Sequence, residues 1–367
     1  MVEEVKIDTN LYSRQIGTFG LETMGKLIKM KVLIIGMRGL GVEIAKNLCL
    51  AGPQSVTIYD PTQVAVADRG SNFYIAEADV GNTTRAEASV GQLRSLNPNV
   101  QTQVIQEFTN EMVANYNIIV ITENFWGADR ITEINELCRT QSKGFILTEN
   151  MGLASYAFLD YGPAFIVTDK DGEQTKQFII SGIEKGENPT VTVHEDKRHS
   201  YQDGDFVKFV EVEGMTELND AGAIEIYDTK AYSFRLRIDA SNFGEYARQG
   251  LVEDTKVAKT IAFKSYAESK KNPAGSTEYG FLEPLDMNYF GMGRSEQLHL
   301  AIGGCHLFHK QNGRYPSDTA EDKAAVLEMT KSINTAFKAM ENAINVEEID
   351  EAICSKVAAY STCSITS

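Results

Sequence analysis

Short apolar runs alternate with helical patterns through the first half of the chain. Val32–Ile35, Ser55–Tyr59, Val100–Ile105, Ile118–Ile121 and Gly144–Leu147 read as buried strands, and Leu40–Leu50, Thr84–Leu96 and Ala128–Cys138 read as helices. This βαβ alternation predicts a parallel sheet covered on both faces. After Asp160-Tyr161-Gly162-Pro163 the rhythm shortens to Phe165–Thr168, Gln177–Ile183, Thr190–His194, Phe206–Val212, Ala223–Tyr227, Tyr232–Ile238 and Thr260–Phe263. Turn signals at Asp171-Gly172, Asp203-Gly204 and Asn219-Asp220 separate them, as in a small antiparallel barrel or sandwich. Alternation turns Phe206, Phe209 or Val210, and Val212 inward and leaves Asp203, Asp205, Glu211, Glu213 and Glu217 outside, as any solvated barrel would. From about Glu283 the pattern is helical, with Val326, Ile333, Phe337, Met340 and Ile344 forming a core stripe. Ser269–Ser276 is the best linker candidate.

The first strand runs into a glycine turn, Gly36-Met-Arg-Gly-Leu-Gly41. In the G-x-G-x-x-G fingerprint the first glycine makes the turn, the second lets backbone approach a pyrophosphate and the third lets helix pack on strand. Gly36 and Gly41 keep the first and third roles, Gly39 is one place late, and Arg38 stands where phosphate would approach. Arg38 therefore reads as a plug or a structural contact in a degenerate pocket. Asp60 ends the second strand, where such folds place a carboxylate for a ribose hydroxyl. It also begins the turn Asp60-Pro61-Thr62, and both readings stand.

A chain of 367 residues with 43% hydrophobic content is long enough for two or three folded units, since single cores stop growing near about 250–300 residues. A net charge of −16 leaves no broad basic face for nucleic acid. Five scattered cysteines without a C-x-x-C pair fit reduced thiols in the cytoplasm or nucleus. No signal peptide or apolar stretch of membrane-spanning length is visible, so a soluble protein without a membrane partner is expected. His306 and His309, with Cys305 adjacent and His299 two turns earlier, have spacing that can hold zinc, but no fourth ligand pattern accompanies them. A helix face with two solvated histidines is the expectation there, and no metal site is assigned. None of the cysteines sits beside a group that would clearly lower its pKa, and Cys49 reads as a small core residue.

Several segments together resemble the N-terminal part of a single-chain ubiquitin-activating enzyme. Leu11-Tyr-Ser-Arg-Gln-Ile-Gly17, the stretch Gly36 to Asn47, and Asp79-Val-Gly81 followed by Arg85-Ala-Glu87 resemble its first adenylation repeat, which activators of other ubiquitin-like modifiers share. His199 to Asn219 is more specific and resembles the inserted β domain, the first catalytic-cysteine half-domain. The helical stretch after it is similar to the family's four-helix insertion. The resemblance implies an α/β fold: a Rossmann-like doubly wound sheet of the ThiF-like adenylation type, an inserted small all-β barrel and a C-terminal helical bundle. It sets expected boundaries at 1–164 for the inactive adenylation domain, 165–264 for the β domain and 265–358 for the bundle. Residues 359–367 would begin a truncated return to the adenylation domain.

The family's active half carries G-x-G-x-x-G, a D-x-D strand end and an S-N-L-N-R-Q-F segment that hold ATP and magnesium. Here those positions read as the Arg38 loop, Asp60-Pro-Thr62 and Ala67-Asp-Arg-Gly-Ser-Asn-Phe73, without the second carboxylate or the aligned arginine. This chain therefore resembles the inactive half, with no cofactor of its own. The resemblance implies that Arg14 reaches in trans to nucleotide held by the missing active half. Read on its residues alone, Arg14 is a surface arginine beside an acid such as Glu22. Implied partners are that active half, ubiquitin, which the β domain would face, and ubiquitin-conjugating enzymes. The parent enzyme would adenylate ubiquitin's C-terminus and pass it to a cysteine thioester outside this chain. A free-standing regulatory subunit of a heterodimeric activator is a second reading. An NAD-dependent oxidoreductase, supported only by Gly36, Gly41 and Asp60, is the weakest.

Overall fold

The computed structural model describes residues 7–151, 154–169, 172–196, 198–272, 295–341 and 343–361. Helix α1 (Ser13–Leu27) precedes β1 (Lys31–Ile35), α2 (Gly39–Ala51), β2 (Ser55–Tyr59), α3 (Arg85–Leu96), β3 (Gln101–Val104), β4 (Ile118–Ile121), α4 (Ala128–Thr140), β5 (Gly144–Met151) and β6 (Ala154–Asp160). The six strands order as β3-β2-β1-β4-β5-β6, with β6 antiparallel to β5 and the other pairs parallel. Every residue of β2 and all but the first of β1 are buried, as a sheet covered on both faces requires. Strand order reverses between β1 and β4, and loops leaving the two strands' carboxyl ends meet at that crevice.

The expected strands and helices of this half are present, and two elements join them. Helix α1 carries Gly17, Gly20 and Gly25, and its backbone breaks at Gly20 with φ +79°, so its sequence lacks a sustained helical signal. Strand β6 is built from small residues around Tyr156 and Phe158, which pack against the layer containing Phe145 and Tyr266. Its strand character comes from pairing with β5, which residue-by-residue patterning does not contain.

Two compact units divide the chain, one of Met1–Phe165 with Ala262–Ser367 and the other of Ile166–Ile261. In the second unit β8 (Gln177–Ile183), β9 (Thr190–Val193), β10 (Phe206–Val210), β11 (Ile224–Tyr227), β12 (Ser233–Leu236) and β13 (Leu251–Asp254) close a barrel ordered β10-β11-β12-β9-β8-β13. A one-turn helix, α5 (Glu217–Asp220), follows β10. Strand β7 (Phe165–Val167) pairs with β14 (Lys259–Ile261) in a separate two-stranded sheet and is not a barrel strand. The barrel's sixth strand, β13, escaped the pattern because only Val252 of its four residues is buried. On β10 the inward residues are Val207 and Phe209; Phe209 is as expected, whereas Phe206 is half-exposed and not inward. Val212 is nevertheless buried, because Glu211 takes φ +59° and shifts the alternation by one. His199 lies buried against Phe178, Tyr201 and Phe234, and burial holds its imidazole below the ordinary range.

The first unit resumes with α6 (Tyr266–Lys271), α7 (Ser295–Asn312), α8 (Ala320–Lys338) and α9 (Glu351–Ser361). Leu300, Cys305, Phe308, Val326, Val357 and Ala358 form the core of this helical bundle. Val326, Ile333 and Phe337 join that core as the stripe predicts, but α8 ends at Lys338, and Met340 beyond it is exposed. The linker expected at 269–276 begins inside α6, Asn272 caps that helix, and 273–276 lie outside the described residues. The helical onset expected from Glu283, and most of 359–367, also lie outside them.

The histidines of α7 are not a solvated face. His306 Nε2 lies 2.7 Å from Glu149 Oε2 of β5, and the two side chains are only 10% and 7% exposed. Tyr315 donates to the other Glu149 oxygen, and His299 Nε2 is 2.7 Å from the Lys270 carbonyl. The partner of His306 lies 157 residues away, so helical spacing carried no sign of it. Burial works to raise the Glu149 carboxyl, but the His306 charge and hydrogen bond outweigh it and hold it below the ordinary carboxylate range. This pair joins the bundle to the sheet. His306→Ala should therefore cost about 3–5 kcal/mol in urea unfolding by stranding a buried carboxylate. Because the Glu149 value is lowered on folding, its stabilisation is complete above the ordinary carboxylate range and fades as pH falls through the lowered value. An unchanged unfolding midpoint in the variant would count against the clasp.

Candidate functional site

The glycine turn at the crevice is built as its sequence requires. Gly36 has φ +100°, and a Cβ there would come within 2.6 Å of Glu123 Cβ. A Cβ on Gly41 would lie 2.0 Å from the Gly36 carbonyl oxygen, so α2 can approach β1 only through glycine. At Gly39 a Cβ would meet Ser71 at 3.2 Å, a tight but milder contact. Thr122, next after β4, donates its hydroxyl to the Gly36 carbonyl at 3.0 Å. The buried Met37 is held by both backbone groups: its N–H donates to Asp60 Oδ2 at 2.9 Å, and its carbonyl accepts from Asn72 Nδ2 at 2.8 Å.

Around this turn the chain gathers charge. Arg85, the first residue of α3, is 3% exposed. Its Nε lies 2.9 Å from Asp68 Oδ2, and its NH1 group lies 3.2 Å from Glu123 Oε2 and 3.6 Å from Asp60 Oδ2. Arg38 Nε reaches Glu123 Oε1 at 3.1 Å. Both Nε atoms are buried without an in-line hydrogen-bond acceptor, so these two contacts act through charge. Burial opposes the Arg85 charge, but the Asp68 contact and the nearby carboxylates outweigh it and hold the guanidinium more firmly protonated than usual. Burial pushes the Glu123 carboxyl above its ordinary range, with Arg38 and then Arg85 opposing.

The residues singled out in the sequence thus fall in two places. Gly36, Arg38, Gly39, Gly41 and Asp60 share the crevice. Asp60 is buried, and its two oxygens accept from the N–H groups of Met37 and Thr62, so it anchors both the glycine loop and its own turn. Arg14 is elsewhere, exposed on α1, and Leu11, Phe19 and Leu21 of the same stretch of sequence are exposed too. The acid proposed for it, Glu22, instead pairs with Lys26 at 2.8 Å, and among the described residues no carboxylate pairs with Arg14.

Glu123, Asp68 and Arg85 were not foreseen as members of the crevice. Position offered one clue, since Glu123 is the second residue after β4 and strand ends at a switch point face the crevice. Among the described residues no cluster of three metal-ligating side chains is present, and no helix is long and apolar enough to cross a membrane. Cys49, Cys138, Cys305 and Cys354 are buried, and burial pushes the Cys138 thiol up to about 12.

A doubly wound sheet with a glycine turn at its switch point, carrying a closed barrel and a helical bundle, defines a ThiF-type α/β unit with two additions. Residues 12–158 match the ThiF family, 186–256 the "Ubiquitin-activating enzyme E1 FCCH domain", and 257–334 the "Ubiquitin-activating enzyme E1 four-helix bundle". The chain belongs to the ubiquitin-activating enzyme E1 family and corresponds to an N-terminal portion of it. It is 37% identical over 350 residues to ubiquitin-activating enzyme E1 1 of Triticum aestivum, covering 94% of this chain and 32% of the relative. For ubiquitin-activating enzyme E1 2 of Arabidopsis thaliana the identity is 38% over 334 residues, covering 90% and 30%. For ubiquitin-like modifier-activating enzyme 1 of Homo sapiens it is 34% over 357 residues, covering 97% and 32%. The chain spans about a third of the length of these curated relatives.

Arg85 should be the side chain whose loss the crevice tolerates least. Arg85→Met would remove the buried counter-charge that three carboxylates share and is expected to cost about 3–5 kcal/mol by thermal or urea unfolding. Arg38→Ala, at a side chain 41% exposed, should cost no more than about 1 kcal/mol. Equal losses in the two variants would refute this ranking.

Proposed function

We propose that this chain is the non-catalytic N-terminal portion of a ubiquitin-activating enzyme. The whole enzyme, in this reading, uses ATP and magnesium to adenylate the C-terminus of ubiquitin and then carries ubiquitin as a cysteine thioester to conjugating enzymes. The portion described here supplies the scaffold, Arg14 and, through its barrel, part of the face that meets ubiquitin. It works in the cytoplasm and nucleus, which suits five scattered cysteines without a C-x-x-C pair.

One observation carries the non-catalytic part of the reading: the crevice that would bind nucleotide is filled by its own charges. Glu123 lies against Gly36, and Arg38 turns to Glu123. Both oxygens of Asp60 are taken by backbone N–H groups, leaving that carboxylate poorly placed for a ribose or a metal. A triphosphate would meet three carboxylates against two guanidiniums. Arg14 contrasts with this closed site, being exposed in a segment that also exposes Leu11, Phe19 and Leu21, as suits cover by another domain.

Two measurements test the reading. Calorimetric titration of this chain with magnesium-ATP should give no binding heat, and tight binding would overturn the dead pocket. In the full-length enzyme Arg14→Ala should slow ATP–pyrophosphate exchange by about 100-fold, the scale of losing one charge-stabilising donor. The thermal midpoint should hardly move, because the side chain is exposed. A normal exchange rate would remove Arg14 from the chemistry.

A further inference from the structure

The closed crevice retains the parts of an anion site, with an internal anion lodged in it. Helix α2 starts at Gly39 with no side-chain cap, so the positive end of a 13-residue helix lies at the glycine turn. Two guanidiniums approach the same turn, and the Nε atoms of both are buried without an in-line acceptor. The Arg85 side chain is only 3% exposed. What both arginines share is Glu123, at 3.1 Å from Arg38 and 3.2 Å from Arg85. Its Cβ and backbone N would lie only 2.6 Å and 2.9 Å from a Cβ on Gly36, so the residue is anchored directly beside the turn.

We propose that Glu123 is a built-in stand-in for phosphate: its carboxylate occupies an anion site for a short polyphosphate, and this one side chain keeps that site shut. The proposal rests on the dead-pocket reading above and supplies its cause. Removing the carboxylate frees Arg38 entirely and leaves Arg85 with Asp68 and Asp60. The balance at the crevice then changes from three carboxylates against two guanidiniums to two against two, with Arg38 and the end of α2 facing the vacated space. Neither the glycine turn nor the Asp60 and Asn72 clamps on Met37 depend on Glu123, so the site's frame survives its loss.

The test uses this chain with Glu123→Ala and Glu123→Gln, and metal-free inorganic tripolyphosphate as probe. Binding is read by calorimetry and by the ligand-dependent rise in thermal midpoint. Wild type should respond to neither at millimolar probe. Both variants should bind at least about tenfold more tightly than the wild-type limit, with affinity falling as salt rises and lost on adding Arg38→Ala. If Glu123→Ala does not fold, the near-isosteric Glu123→Gln decides the matter. Folded variants as silent as wild type would overturn the role of Glu123 while leaving the dead pocket standing. Binding by wild type itself would overturn both.

Discussion

A buried guanidinium cannot be left alone, and the adenylation-type half of this protein is organised around one. Arg85 sits at the start of α3, where Thr84 and Glu87 form a reciprocal capping box that fixes the helix entry. From there it gathers Asp60 from the end of β2, Asp68 from the following 3-10 turn and Glu123 from the end of β4. These are the segments that must converge to form a switch-point crevice. The charges cost desolvation, and their mutual pairing offsets it. The same network thus gives the crevice its shape.

The protein repeats this device where its helices meet the sheet. Glu149 and His306 join β5 to α7, and Asp160 at the end of β6 binds Arg139 and Asn135 of α4, with Asn135 receiving the first N–H of α6. Apolar layers supply the bulk of the cohesion, but they are non-directional. Paired polar groups of this kind fix which helix meets which strand. The barrel needs little such guidance, because strand closure satisfies its backbone and alternating side chains fill its interior. Its flanking strands β7 and β14 pair with one another, so the chain leaves and returns at neighbouring points, as an inserted domain requires.

Sequence by itself determined the elements whose causes are local. The buried runs of β1, β2 and β4, the helices between them, the glycine turn and most barrel strands follow from periodicity and from residues that no other type can replace. Gly41 is the clearest case, since the atom it lacks would lie 2.0 Å from a carbonyl oxygen. The place of Arg38 was legible for the same reason, because it stands in the turn itself. Tertiary structure alone decided the partners. Glu123 faces Arg38 and Arg85 across loops 85 and 38 residues distant, and His306 meets a carboxylate 157 residues away. Strand β6 exists because β5 offers it an edge, and the phase of the barrel wall past β10 turns on one positive φ at Glu211. Spacing along a chain encodes which face a side chain takes, whereas pairing between charges depends on distances that only the folded chain sets.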